Sequence, residues 1–127
     1  MIVVDTDVLI EIFEKRSAKG DEALKRIIDS NEDIAITTIN LHEILYGLQK
    51  YAKPVKEVLL LPVLDYTKRD ALLSAEIELK AESMGTPVRR TDAMIAAIAL
   101  NRKASLYTFN LKHFTPLVAL GLKLFTS

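Results

Sequence analysis

Apolar residues in this chain fall into two patterns: short solid runs, and longer stretches recurring every three or four positions. Ile2-Val3-Val4 is a solid run, which suits a strand buried on both faces of a parallel sheet. From Asp7 to Lys15, Val8, Leu9, Ile12 and Phe13 recur at helical spacing. A second helix is expected from Gly20–Asp21 onward, with Ala23, Leu24, Ile27 and Ile28 as its stripe. Asp33 to Thr37 reads as a strand. Thr38 is then the expected N-cap of a helix with Leu41, Ile44, Leu45, Leu48 and Ala52 as its core face, interrupted by Pro54. Leu61 to Tyr66 reads as another strand, placed by Pro62 at a sheet edge or shortened to the residues after it. Thr67 opens a long helix through Leu72, Leu73, Ile77 and Leu79 to Met84, closed by Gly85 and followed by Pro87. Thr91 opens the next helix, Ala93 to Arg102. Ala104 to Phe109 and Leu122 to Phe125 are the remaining strand candidates. Strands alternate with helices, which predicts an α/β fold with a central, mainly parallel β-sheet flanked by α-helices.

No repeat, low-complexity segment or linker divides the 127 residues, so positions 1–127 read as a single domain. Half of the residues are apolar and 27% are charged, an ordinary globular balance. With 17 basic and 17 acidic residues the formal net charge is zero. That argues against a broad basic footprint on nucleic acid, although a small substrate groove stays open. The absence of cysteine removes thiolate catalysis, zinc–thiolate sites and disulfides. The N-terminus has neither the basic segment nor the long apolar stretch of a signal peptide. No apolar run nears membrane-spanning length. A cytoplasmic protein with no membrane partner is the expectation.

Candidate chemistry gathers at strand ends and helix starts. In an open parallel sheet, ligands bind beyond the carboxyl ends of the strands. Asp5 follows the first strand, Asn110 follows Leu106-Tyr107-Thr108-Phe109, and Asp92 begins a helix, so all three are expected at one rim. Taken singly, Asp5, Asp7 and Asp92 read more simply as caps or helix-dipole partners, and Asn110 as a turn residue. Glu43 points away from the principal stripe of its helix. Its neighbours one turn away are Ile39, Tyr46 and Gly47, which suggests a second packed or functional surface. Ala93 to Leu100 is apolar all round, so that helix is expected to be buried and to hold Asp92 rigidly. Clustered carboxylates repel, and they need raised pKa values or a cation. Oxygen ligands with few histidines favour Mg²⁺, or Mn²⁺, over Zn²⁺.

Four segments, V-V-D-T-D-V-L-I, N-L-H-E-I-L-Y-G, R-R-T-D-A-M-I-A-A-I-A and L-Y-T-F-N-L-K-H-F, resemble in order the motif blocks of the PIN-domain family. The likeness is to the VapC-type toxin ribonucleases of prokaryotic toxin–antitoxin pairs, and it extends from Ile2 to Phe114. The resemblance implies metal-dependent cleavage of single-stranded RNA, leaving a 5′-phosphate and a 3′-hydroxyl. It assigns Asp5, Glu43 and Asp92 to the acidic metal-binding positions, with Thr6 and Thr108 in support. The position often occupied by a fourth acid is Asn110 here, and the alternative acid position is His113. A three-carboxylate site is therefore expected, in which Asn110 adds an amide oxygen but no charge. Arg89, Arg90 and Lys112 flank the blocks as candidate contacts to RNA phosphates. The implied partners are an RNA substrate, a cognate antitoxin and a second copy of the chain in a homodimer. The competing class is a degenerate PIN domain that binds RNA or protein without cleaving. A haloacid-dehalogenase-like phosphotransfer domain is disfavoured because Val8-Leu9, not Gly-Thr, follows D-T-D. A receiver domain would need a lysine ending a late strand beside an acidic pair.

Overall fold

β1 (Ile2–Val4) runs through the centre of the molecule, with each residue at most 1% exposed. The computed structural model describes residues 1–126. On one side of β1 lies β2 (Ile34–Thr37) and beyond it β3 (Val63–Leu64). On the other side lies β4 (Ser105–Tyr107) and then β5 (Lys123–Leu124). Every pairing is parallel, with Ile2 opposite both Ile34 and Ser105. The carboxyl ends of all five strands therefore share one rim. The strand order β3-β2-β1-β4-β5 reverses direction at β1, so the crevice of this open sheet opens between β1 and its neighbours.

The period-two alternation of β1 separates two cores. Val3 packs with α6 (Arg90–Asn101), with Ile77 of α5 (Lys68–Ser83), and with Phe114 and Leu117 of α7 (Leu111–Val118). Ile2 and Val4 pack on the opposite face. Their neighbours there are Val8 and Leu9 of α1 (Thr6–Leu9), Ala23 and Ile27 of α2 (Ala18–Ser30), and Ile44 and Leu48 of α3 (Thr38–Lys50). A short α4 (Lys56–Leu59) contributes Val58 to this second core. Helix α6 is buried as its all-apolar run predicts, and its alanines let it approach the sheet closely.

Several expected elements change. The helix expected from Asp7 to Lys15 is two pieces, α1 and a π-helical turn over Ile10–Glu14. Thr37, not Thr38, caps α3, because its hydroxyl accepts from Asn40 N–H while Asn40 returns a bond to the Thr37 backbone. Ala52 lies beyond α3, exposed and at positive φ, rather than on its core face. Helix α6 begins at Arg90 rather than at Thr91. The Leu61–Tyr66 strand contracts to the two residues of β3 at the sheet edge, where the Pro62 carbonyl still accepts from Ile36 N–H. Helices α4 and α7 have no counterpart in the sequence reading. On α2, Leu24 and Ile28 are exposed although they were expected on its stripe.

Helix α5 keeps the expected span, with Thr67 as its N-cap and Met84 as its C-cap, but its leucines do not form its inward face. Leu72 and Leu79 are 65% and 69% exposed, while Asp70, Ser74, Ile77 and Ala81 face inward. Asp70 accepts from the Asn101 amide at 2.8 Å and from Arg102 at 3.0 Å, and its other oxygen accepts from Thr67. Burial alone would raise its pKa. The hydrogen bonds from Asn101, Thr67 and Arg102 outweigh that and hold it at about 2. The start of α5 is thereby tied to the end of α6. No described helix is long and apolar enough to cross a membrane.

Candidate active site

Asp5 stands where β1 ends, buried, and is the N-cap of α1. Its Oδ1 accepts from Thr6 N–H at 2.8 Å and from the Asn40 amide at 3.3 Å. Its Oδ2 accepts from the Thr108 hydroxyl at 2.8 Å. Capping and presentation of charge are therefore combined in one residue. Burial, followed by the charge of Asp7 and, least, that of Asp92, pushes its pKa up to about 7 against the bonds from Thr108 and Thr6.

Asp7 is the residue that sequence reading left as a helix cap. Its Oδ2 accepts from Phe109 N–H at 3.0 Å, which locks α1 to the loop after β4. Its Oδ1 is buried and has no hydrogen-bond partner among the described residues. Burial raises its pKa, although the N–H groups of Phe109, Val8 and Asn110 oppose that. Asp7, in α1, is thus a further carboxylate whose charge acts on Asp5.

Asn40 was also missed. The capping box consumes its Oδ1 on Thr37, which turns its Nδ2 toward Asp5 and toward Thr6 Oγ1, 2.9 Å away. Thr6 in turn donates to Glu43 Oε1 at 2.7 Å. A buried cap on α3 therefore orders a relay from Asn40 through Thr6 to Glu43, which is itself exposed. The S/T-x-x-N spacing of Thr37 and Asn40 was visible, but its orienting consequence depends on β1 and β2 being neighbours.

Asp92, 3% exposed, lies in the first turn of α6. Arg89 grips it with Nε at 3.1 Å and Nη2 at 3.3 Å, and His113 Nδ1 lies 3.8 Å away. Arg89 is the residue the sequence offered as a phosphate contact. Arg90, offered likewise, is paired with Glu78 at 3.0 and 3.1 Å. Lys112 is exposed and shares a cleft of about 300 Å³ with Arg89, Asp92 and His113. Asn110 is exposed at the N-cap position of α7, where its side chain makes no capping bond. Its N–H donates to Thr108 Oγ1 at 3.0 Å.

The donor set suits a hard dication in its chemistry: buried Asp5 and half-buried Asp7 resist ionisation together, and one buried Asp7 oxygen has no hydrogen-bond partner among the described residues. The set is not closed around a point. Among the described residues, no three His, Asp or Glu side chains form a ready cation cage. Two of the acids are engaged elsewhere: Arg89 holds Asp92, and Thr6 holds Glu43.

The PIN domain family model matches residues 2–115. A tRNA(fMet)-specific endonuclease VapC of Salmonella typhimurium is 33% identical over 103 residues, covering 76% of this chain and 78% of that protein. The structure of DNA-bound VapBC from Salmonella typhimurium superposes with a TM-score of 0.80 at 26% identity, covering 98% of this chain and 96% of that one. The Rickettsia felis VapBC2 structure, bound to a DNA fragment from its promoter, gives a TM-score of 0.79 at 25% identity. It covers 99% of this chain and 100% of that one.

Proposed function

From the premise that this chain belongs to the PIN-domain family, we propose that it is a metal-dependent endoribonuclease cleaving single-stranded RNA, and the toxin half of a VapBC-like pair. The observation that carries this reading is buried Asp5 beside half-buried Asp7 at the carboxyl rim. Asp5 is held near a pKa of about 7, and one Asp7 oxygen lacks a hydrogen-bond partner among the described residues. A fold gains no stability from such a pair, so its placement at the ligand-binding edge of the sheet points to function.

Asp5, Asp92 and Asp7 would hold Mg²⁺ or Mn²⁺, with Glu43 at the rim of the set. The ion, when bound, would supply Lewis-acid activation of water and charge stabilisation at phosphorus. Thr108, Thr6 N–H and Asn40 fix Asp5 from three directions, so its oxygens are positioned before any ligand arrives. Glu43, steadied by the Thr6 hydroxyl, would take the proton of the water that attacks phosphorus. The P–O3′ bond then breaks and the departing O3′ takes a proton from solvent, leaving a 5′-phosphate and a 3′-hydroxyl. Lys112, and Arg89 once it leaves Asp92, would hold backbone phosphates. Arg90 is committed to Glu78 and contributes less. A cognate antitoxin covering the site and a homodimer complete the reading. Exposed Leu72 and Leu79 on α5 are compatible with the dimer.

Cleavage of assorted single-stranded RNAs with Mg²⁺ or Mn²⁺ tests the proposal. Glu43→Gln should lose at least tenfold in rate, about 1.4 kcal/mol of transition-state stabilisation, with the fold intact. Parent-like cleavage by that variant would remove Glu43 from the mechanism. The open cation cage and the Arg89–Asp92 pair favour one second reading, a module that binds RNA or protein without cutting. Binding of RNA or protein by a parent that cleaves at no metal concentration would support it.

A further inference from the structure

The first turn of α6 divides the surface around the acids into two clefts of opposite chemistry. On one side, Asp92 shares a cleft with Arg89, Lys112 and His113, a basic lining suited to phosphate. On the other, Thr38, Ile39, His42, Glu43, Tyr66 and Thr91 line a cleft of about 550 Å³. This second lining contains no lysine or arginine. Its walls are an aliphatic side chain, a phenol ring, an imidazole, two threonines and the Glu43 carboxylate. Thr91 borders one cleft and Asp92 the other, so a strand lying over the acids passes from one to the other.

We propose that the second cleft seats an unpaired nucleobase of the RNA strand, stacked on Tyr66 and His42, next to the phosphodiester positioned at Asp5 and Asp92. This rests on the ribonuclease reading and adds to it the group that selects where along a strand the enzyme acts. A base is flat, uncharged and edged with donors and acceptors, and it stacks on aromatic and imidazole rings. A phosphate would find no cation among these residues. The Tyr66 ring is fixed in advance by a 2.7 Å bond between its hydroxyl and Ser74 Oγ on α5, Ser74 being itself buried. Little conformational freedom remains to be lost there on binding. The Thr38 and Thr91 hydroxyls and the His42 imidazole supply hydrogen-bonding groups for a base edge. Glu43 belongs both to this cleft and to the Asp5–Thr6–Asn40 network, so the subsite is continuous with the acids.

Fluorescence anisotropy with short single-stranded RNAs, each carrying one abasic position, tests the proposal in the Asp5→Asn chain, which is expected not to cut. One abasic position should weaken binding about tenfold. His42→Ala and Tyr66→Leu should weaken the intact RNA comparably and remove most of that abasic penalty. Tyr66→Phe, which keeps the ring, should retain it. A flat abasic scan, an undiminished penalty in His42→Ala, or no RNA binding at all would overturn the subsite. So would a change of oligomeric mass in His42→Ala with RNA affinity unaltered, because the cleft would then belong to a second copy. Coupling between the abasic site and His42 in a chain whose parent never cuts would refute the nuclease reading and leave the subsite standing. Cutting without such coupling would do the reverse.

Discussion

Asp7 Oδ1 lies out of water with no donor facing it among the described residues, and a charged oxygen so placed is costly. Sequence could not show this. An acid at the start of a predicted helix looks like a cap, and the contacts that hold Asp7 come from the Thr108–Phe109 segment, about a hundred positions away. Asn40 was hidden for the same reason, since its amide matters only once β2 lies beside β1. Asp5 and Asp92 were easier, because a solid strand run and an all-apolar helix each announce where they begin or end. Arg89 was read as a free cation, yet it closes on Asp92 with two hydrogen bonds. A cation arriving at Asp92 must displace it. Arg89→Gln should therefore tighten Mn²⁺ binding severalfold by calorimetry, while Arg90→Gln, which frees Glu78 instead, should change it little. Equal affinities in parent and Arg89→Gln would show that Arg89 and the metal do not compete.

Among the elements, those built on one dominant pattern were legible and those built on contacts were not. β1, β2, β4 and α6 match their apolar runs to within a few residues. Helices α4 and α7 are short, and α7 carries Pro116, so neither has the length or uniform spacing that periodicity detects. The span of helix α5 was legible from Thr67 to Met84, but its inward face was not, because Asp70 and Ser74 face inward in place of leucines, satisfied by Thr67, Asn101, Arg102 and Tyr66. The π-helical turn brings Glu11 against α2 and Glu14 against α3, and two glycines mark those approaches. A Cβ on Gly20 would strike the Glu11 carbonyl, which is backbone and cannot yield cheaply. A Cβ on Gly47 would meet only the Glu14 carboxylate at 2.6 Å, the mobile end of a side chain. Gly20→Ala should therefore cost about 1–3 kcal/mol in urea unfolding. Gly47→Ala should stay within about 1 kcal/mol, with helix propensity in its favour. Equal losses in the two would mean that the π turn is free to move away from α2.

At the scale of the whole molecule, the site and the scaffold place opposite demands on carboxylates, and pH separates them. Asp70 ties α5 to α6 with its pKa lowered to about 2, whereas Asp5 is raised to about 7. A lowered acid gives stability that is complete above its unfolded value, near 4, and is lost as pH falls toward 2. A raised acid does the reverse: its neutral form suits the fold below about pH 4, and stability drains away as pH climbs to about 7. From these two groups, the metal-free chain should be most stable near pH 4 to 5. By pH 8 it should have lost on the order of 4 kcal/mol to ionisation of Asp5, with Asp7 pulling in the same direction. Asp5→Asn should flatten that decline and melt higher than the parent at pH 8 in EDTA. Mn²⁺ at about a hundred times its dissociation constant should restore about 2.7 kcal/mol to the parent at pH 8. It should do little at pH 4, where the acids hold protons, and little at either pH for Asp5→Asn. Thermal melts of both chains across pH, with and without the ion, read all of this at once. A parent that melts no lower at pH 8 than at pH 5 in EDTA would mean that Asp5 ionises without strain. The cluster at the rim would then be an ordinary cap, and the case for a cation there would fall with it.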